Sequence, residues 1–333
     1  ASVSLRKTST DKSVLSNPSY NFEGITYSVT NKRTREHVGD LVLDKNGNAS
    51  MNGLTFDTYV IQETKSNTWY SKNDRAYEVT LSASNKAATV QAEDTPNNGG
   101  IKIIKTSSDA SINGNPNYSF EGIEYTVKSK STGAIAGTIV LDKNGDGSLS
   151  NLPFGEYVII ESRTNSSFKI DNTTQKTVKV EANSTATAEF SDVPERATVN
   201  LKKTSTDKDS LGNPYYNFEG ITYSVTNKRT GEHVGDLALD ANGNASLVNL
   251  VFDTYVIKET KSNTWYAKND KTYEVTLSGS NKSATVQASD TPNYVDFDLV
   301  KATADESLSG TSSAYSLAGA VYTLTNTRDA SVA

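Results

Sequence analysis

The chain repeats itself every 98 residues, and this period limits the folds open to it more than any other feature. Leu5-Arg-Lys-Thr-Ser-Thr returns as Ile103-Ile-Lys-Thr-Ser-Ser, then as Leu201-Lys-Lys-Thr-Ser-Thr, then as Leu299-Val-Lys-Ala-Thr-Ala. A unit this long is a whole domain rather than one turn of a solenoid. Boundaries are expected near Asn97, Glu195 and Asn293. The 333 residues then divide into repeats at 1–97, 98–195 and 196–293, with 294–333 as the truncated start of a fourth.

Within a unit, strand-like runs alternate with turn signals. Ile25-Thr-Tyr-Ser-Val-Thr, Leu41-Val-Leu, Thr58-Tyr-Val-Ile-Gln-Glu, Tyr77-Glu-Val-Thr-Leu and Ala88-Thr-Val-Gln-Ala all read as strands. Asn-Gly pairs at Asn46, Asn144 and Asn242 predict hairpin turns. Little Leu and much Thr, Ser, Val and Tyr favour strands over helices. About seven strands per hundred residues predicts an all-β, Ig-like sandwich in each unit. The first and third units are nearly identical, so positions that the divergent second unit shares with them are the informative ones.

The bulk properties exclude several functions. A net charge of −6, spread along the chain with no Lys/Arg block, argues against a nucleic-acid partner or an anionic membrane surface. No apolar run is long enough for membrane insertion, and no signal peptide opens the sequence at Ala1, so an excised fragment is the expectation. Cysteine is absent, which removes disulfides, thiolate metal sites and Cys nucleophiles.

Alternate residues of a strand share a face, so Val3, Leu5 and Lys7 point one way. The same holds for Tyr59, Ile61 and Glu63, and for Val90, Ala92 and Asp94. Each inward stripe ends in an ionisable group. The second unit repeats the pattern at Lys105, Glu161 and Asp192, and the third at Lys203, Glu259 and Asp290, with the same spacings. Lone charges in a core are expensive, and burial raises a carboxyl's pKa while lowering an amine's. A desolvated trio can therefore hold a neutral amine beside a neutral acid, the state that amide formation requires. Folding supplies the alignment, and well-oriented partners reach effective molarities on the order of 10⁵–10⁸ M. A plain buried salt-bridge cluster is the alternative, and the pattern alone does not say which acid is the acceptor.

A first-strand Lys, a Tyr-x-x-x-Glu strand and a final-strand Asp followed by Pro resemble the B-type repeats of the collagen adhesin Cna. The resemblance covers all three complete units and implies tandem prealbumin-like sandwiches of the kind found in stalks of Gram-positive adhesins and pilins. It implies Lys7–Asp94, Lys105–Asp192 and Lys203–Asp290 isopeptide crosslinks, with Glu63, Glu161 and Glu259 promoting each bond. Asp in place of the Asn common in that family implies loss of water rather than ammonia. Thr64 and Thr260 after the Glu fit the pattern, while Ser162 departs from it mildly.

Other motifs read more simply. Asp142-Lys-Asn-Gly-Asp-Gly opens like a calcium loop, but its twelfth position is Pro153 rather than Glu, so a turn is expected. His37 and His233 have Ile135 as their second-unit counterpart, which argues against catalysis or metal binding. Trp69 and Trp265, each followed by Tyr, read as caps of a sandwich end or as adhesive aromatics. Neither a cofactor nor a metal is expected, and no turnover enzyme, only one self-crosslinking event per domain. The leading expectation is a structural spacer, extracellular and cell-wall anchored through a segment outside this sequence, with neighbouring domains as partners. The alternative is a repeated adhesive module for a host extracellular-matrix protein or glycan. A sortase-polymerised shaft subunit needs a pilin motif and a sorting signal, and neither is evident. In the terminal segment Ala320-Val-Tyr-Thr-Leu reads as a further strand, and Lys301, with no Glu or Asp partner following, is expected to stay free.

Overall fold

The computed structural model describes residues 1–305, 307, 313–325 and 327. The first unit has seven strands, β1 (Ser2–Ser9), β2 (Thr26–Asn31), β3 (His37–Val42), β4 (Asn48–Met51), β5 (Thr58–Lys65), β6 (Ala76–Thr80) and β7 (Ala87–Asp94). The second has β8 (Gly99–Ser107), β9 (Glu124–Ser129), β10 (Ile135–Val140), β11 (Asp146–Leu152), β12 (Gly155–Arg163), β13 (Gln175–Val180) and β14 (Thr185–Asp192). The third has β15 (Ala197–Ser205), β16 (Thr222–Asn227), β17 (His233–Ala238), β18 (Asn244–Leu250), β19 (Thr254–Lys261), β20 (Thr272–Thr276) and β21 (Ser283–Asp290).

Each unit is a sandwich of one three-stranded and one four-stranded sheet. In the first, the orders are β4-β1-β7 and β3-β2-β5-β6, and the other two repeat this topology. Alternation of apolar and polar residues drives it: Val3, Leu5 and Lys7 of β1 are buried, and Tyr59, Ile61 and Glu63 of β5 face them from the other sheet. Every unit encloses its own apolar core, with no shared buried cluster. First and last strands lie side by side and parallel, with Lys7 opposite Ala92 and Ser9 opposite Asp94. The second and third units keep that register, pairing Ser107 with Asp192 and Ser205 with Asp290.

The Asn-Gly pairs do not make hairpins. β3 pairs with β2 and β4 with β1, so Asn46-Gly47 turns the corner between the two sheets. Asp44 Oδ1 accepts from the N–H groups of Asn46 (2.9 Å) and Asn48 (2.8 Å) and fixes that corner. A turn signal sets the local reversal of the chain, but here each flanking strand finds a better ladder elsewhere. Gly47, at φ +84°, presses on β1, and a Cβ there would lie 2.5 Å from the Lys7 carbonyl oxygen. Its own carbonyl accepts the Lys7 N–H at 2.8 Å. Gly145 and Gly243 hold Lys105 and Lys203 in the same way.

The expected fourth unit lies partly outside the described residues. Within the described part, the strand expected over 320–324 is not formed, and Val321 is 90% exposed. A strand needs a neighbour to take its N–H and C=O groups, and the stretch beginning at residue 299 is not a strand either.

Candidate functional site

Each sandwich brings its predicted trio together in the interior. Lys7, Glu63 and Asp94 are all buried, as are Lys105, Glu161 and Asp192, and Lys203, Glu259 and Asp290. Lysine and aspartate come from adjacent strands of one sheet, and glutamate reaches across from the other. Lys7 Nζ donates to Glu63 Oε2 at 2.7 Å and touches Asp94 Oδ2. The second unit places Lys105 Nζ 2.8 Å from Glu161 Oε2 and 2.6 Å from Asp192 Oδ2. In the third, Lys203 Nζ is 2.7 Å from Glu259 Oε2 and again touches the aspartate.

These contacts leave the acids poorly satisfied as ion-pair partners. Both side-chain oxygens of Asp94 and of Asp290, and Oε1 of Glu63, Glu161 and Glu259, are buried without a hydrogen bond. One lysine faces two carboxyl groups in each unit. Burial, opposed by the lysine, pushes Asp94 up to about 6 and raises Asp290. In the second unit burial raises Glu161. That unit also differs in packing: the Phe190 ring lies 4.6 Å from Tyr125 where the other units have Ala92 and Ala288.

The sequence reading missed a fourth member. Tyr27 is paired with Glu63 across β2 and β5, and Tyr125 and Tyr223 stand opposite Glu161 and Glu259 likewise. Each phenol accepts from its lysine, 20 residues earlier in the chain. Tyr27 donates to Glu63 at 3.2 Å and Tyr223 to Glu259 at 3.0 Å. Burial, with the neighbouring carboxylates, drives all three phenols well above their ordinary pKa, so each remains a neutral donor. Their recurrence at the repeat period was the available signal. A tyrosine in an apolar stripe is unremarkable by itself, which hid it.

The remaining motifs fall outside the trio. Asp142 Oδ1 accepts from the Asn144 (2.8 Å) and Asp146 (3.0 Å) N–H groups, so its carboxylate closes a turn. His37 and His233 are exposed beside Asp40 and Asp236, each at 3.4 Å. Trp69 packs at the end of the first sandwich, against Tyr20 at 5.8 Å and against Phe154 of the next unit. Among the described residues no helix is long and apolar enough to cross a membrane.

The comparison that decides kinship is with family models. The SpaA prealbumin-like fold domain matches three times, over residues 1–96, 99–194 and 197–292. The chain belongs to this SpaA family. Its three SpaA domains in tandem agree with the resemblance to B-type repeats drawn from the Lys, Glu and Asp pattern. No curated protein sequence matches the chain. Among solved structures, the Bacillus anthracis TIE protein is similar at a TM-score of 0.52 and 15% identity, covering 88% of this chain and 50% of that one. The SpaA domains described here thus span half the length of that relative, and the likeness is one of fold. BcpA, the major pilin subunit of Bacillus cereus, aligns at 14% identity and a TM-score of 0.33, over 88% of this chain and 99% of its own. A streptococcal ancillary pilin aligns at 13% identity and 0.30, over 88% and 98%.

Proposed function

We propose that each SpaA domain closes one amide bond, Lys7–Asp94, Lys105–Asp192 and Lys203–Asp290, and that the array serves as a stalk of a Gram-positive surface protein. The domains are taken as 1–97, 98–195 and 196–293, with 294–333 opening a further repeat. The observation that carries the reading is a buried lysine nitrogen in contact with a buried aspartate, both of whose oxygens lack a hydrogen bond in the first and third domains. An ion pair in that position keeps charge inside an apolar core, whereas an amide removes the charges of lysine and aspartate from it.

In the step itself, Nζ of the neutral lysine attacks Asp Cγ, the C–N bond forms, and the C–O bond to one aspartate oxygen breaks. The glutamate takes a proton from the attacking nitrogen and returns one to the departing oxygen, so one water leaves. Tyr27, Tyr125 and Tyr223 hold the lysine and glutamate in register. No cofactor enters, and each domain reacts once.

The strand order suits a spacer under tension. Pulling from Ala1 and from beyond Asp94 shears two parallel neighbours, β1 and β7, rather than peeling them apart. With Lys7 joined to Asp94, force bypasses the intervening chain. Only residues 94 to 105 lie between successive covalent anchors, and they span at most about 35–40 Å when extended. We place the stalk outside the cell and anchored to the wall. Trp69 is engaged within the chain by Phe154, which counts against the adhesive alternative for that residue.

Peptide mapping tests the chemistry. A branched tryptic peptide joining the Lys7 and Asp94 segments is expected from the native chain and should vanish in Lys7→Arg. Recovery of both segments as separate linear peptides from the native chain rejects the bond. Single-molecule pulling tests the mechanical role, where sawtooth extensions of whole-domain length would reject it.

A further inference from the structure

Six Asn-Gly pairs stand in the sequence, at Asn46, Asn52, Asn98, Asn113, Asn144 and Asn242. Such a pair can react with itself. The glycine amide nitrogen, having lost its proton, attacks the asparagine side-chain carbon, a C–N bond forms, and ammonia leaves. Glycine favours the step because no Cβ hinders the approach. Water then opens the cyclic imide at either carbonyl and leaves aspartate, or an isoaspartate whose backbone runs through the former side chain. The reaction needs a glycine N–H free of hydrogen bonds and a peptide that can rotate.

The fold withholds these conditions from four of the pairs. Gly47, Gly145 and Gly243 are buried, and their N–H groups donate to the carbonyls of Asp44 (3.0 Å), Asp142 (3.1 Å) and Asp240 (3.0 Å). Gly99 is buried at the start of β8. The amide of Asn98 is pinned at both ends, with Oδ1 accepting from the Tyr20 hydroxyl (2.8 Å) and Nδ2 donating to Asn151 Oδ1 (3.0 Å). The other two pairs are open. Asn52, Gly53, Asn113 and Gly114 are all exposed, and a Cβ on either glycine would meet nothing beyond its chain neighbours within 4 Å. Among the described residues no hydrogen bond reaches either of these glycine N–H groups. Asn113 (φ −60°, ψ 128°) and Gly114 (φ +74°) form the middle of a turn closed by the Asn115 N–H on the Ile112 carbonyl at 2.9 Å, a type in which the central N–H is left unbonded.

We propose that Asn52 and Asn113 are sites of self-modification, converting to aspartate and isoaspartate as the protein ages, and that conversion at Asn113 loosens the joint between the second and third domains. Each conversion takes up one water and releases one ammonia, adding about 1 Da. Asn113 lies two residues before the buried Asn115, whose Nδ2 donates to the Phe252 carbonyl of the third domain at 3.0 Å, while the Phe252 N–H donates to the Tyr118 hydroxyl at 3.1 Å. An isoaspartate at 113 adds a carbon to the backbone of this turn and carries Asn115 away from Phe252. The first joint supplies the comparison. There the Phe154 N–H donates to the Tyr20 hydroxyl (3.0 Å) and its carbonyl accepts from Asn17 Nδ2 (2.8 Å), but Leu15-Ser16 stands in the place of Asn113-Gly114. Ageing therefore acts on one joint and spares the other. The inference is independent of the crosslink.

Peptide mapping of the full chain held in mildly alkaline buffer tests it, since aspartate and isoaspartate peptides separate on chromatography. In the folded chain Asn52 and Asn113 should convert at least about tenfold faster than the other four, the factor that one ordinary hydrogen bond imposes. In denaturant all six should convert at similar rates. Hydrogen exchange then reads the joints: after ageing the Phe252 amide should exchange faster and the Phe154 amide should not change. Asn113→Ser should keep the Phe252 amide slow throughout. Folded chain that converts as fast at Asn46, Asn144 and Asn242 as at Asn113 overturns the assignment, as does folded chain intact at Asn52 and Asn113 under conditions that convert the denatured chain. Unaltered Phe252 exchange in chain carrying isoaspartate at 113 overturns the link to the joint.

Discussion

Lys203 and Lys301 hold the same place in the repeat, yet they meet opposite environments. Lys203 is buried against Glu259 and Asp290, while Lys301 is exposed, with the Tyr322 ring 5.3 Å from its nitrogen. The local sequence around the two is similar, so a first-strand lysine is not buried by its own strand. Burial requires β21 to lie alongside β15 and β19 to close the other face. The proposed chemistry at the lysine therefore depends on strands packing against it, and at Lys301 none does among the described residues.

Making the third domain resemble the terminal segment should have the largest effect. Asp290→Ala removes the acceptor, and loss of a crosslink closing a loop of this size costs about 4–5 kcal/mol by the chain-entropy estimate. The corresponding calorimetric transition should fall by roughly 20 °C or more, and an unchanged melting profile would break the comparison. Glu259→Gln keeps the packing and removes the proton shuttle, so bond formation in that domain should slow by about 10²-fold or more, read as a water retained in the intact mass.

Acidity sharpens the comparison further. Asp94 is raised from 3.8 to about 6 by burial, so before closure the folded domain holds more proton than the unfolded chain between those values. The stability of the unreacted domain accordingly falls as pH rises through that window and is lowest above it. Chemical denaturation of freshly synthesised chain at pH values across that window checks this, and a stability that climbs with pH would contradict it. Next, Gly243→Ala puts a Cβ 2.5 Å from the Lys203 carbonyl oxygen at φ +79°, a strain of about 1–3 kcal/mol that should lower the same transition modestly.

The sandwich and the trio were legible because both are written in alternation: every second residue of Val3-Ser-Leu-Arg-Lys7 faces inward, and the lysine breaks an apolar stripe. What was not legible depended on which strands pair. Asn46-Gly47 reads as a hairpin in sequence, but it proves to be a corner between sheets, pressed on Lys7. Tyr27 reads as core, and only the cross-strand register with Glu63 shows it touching the lysine. The expected strand over 320–324 failed for the same reason, since strand propensity without a partner does not make a ladder. The coupling of Phe154 to Tyr20 joins residues 134 apart in different domains, a contact that repeat period alone does not specify.

The most direct test of the central claim is the intact mass of the native chain under denaturing conditions. Three closed bonds predict a mass about 54 Da below the sequence value, one water per SpaA domain with Lys301 still a free amine. A mass equal to that of the unmodified sequence would contradict the account, however closely the side chains approach.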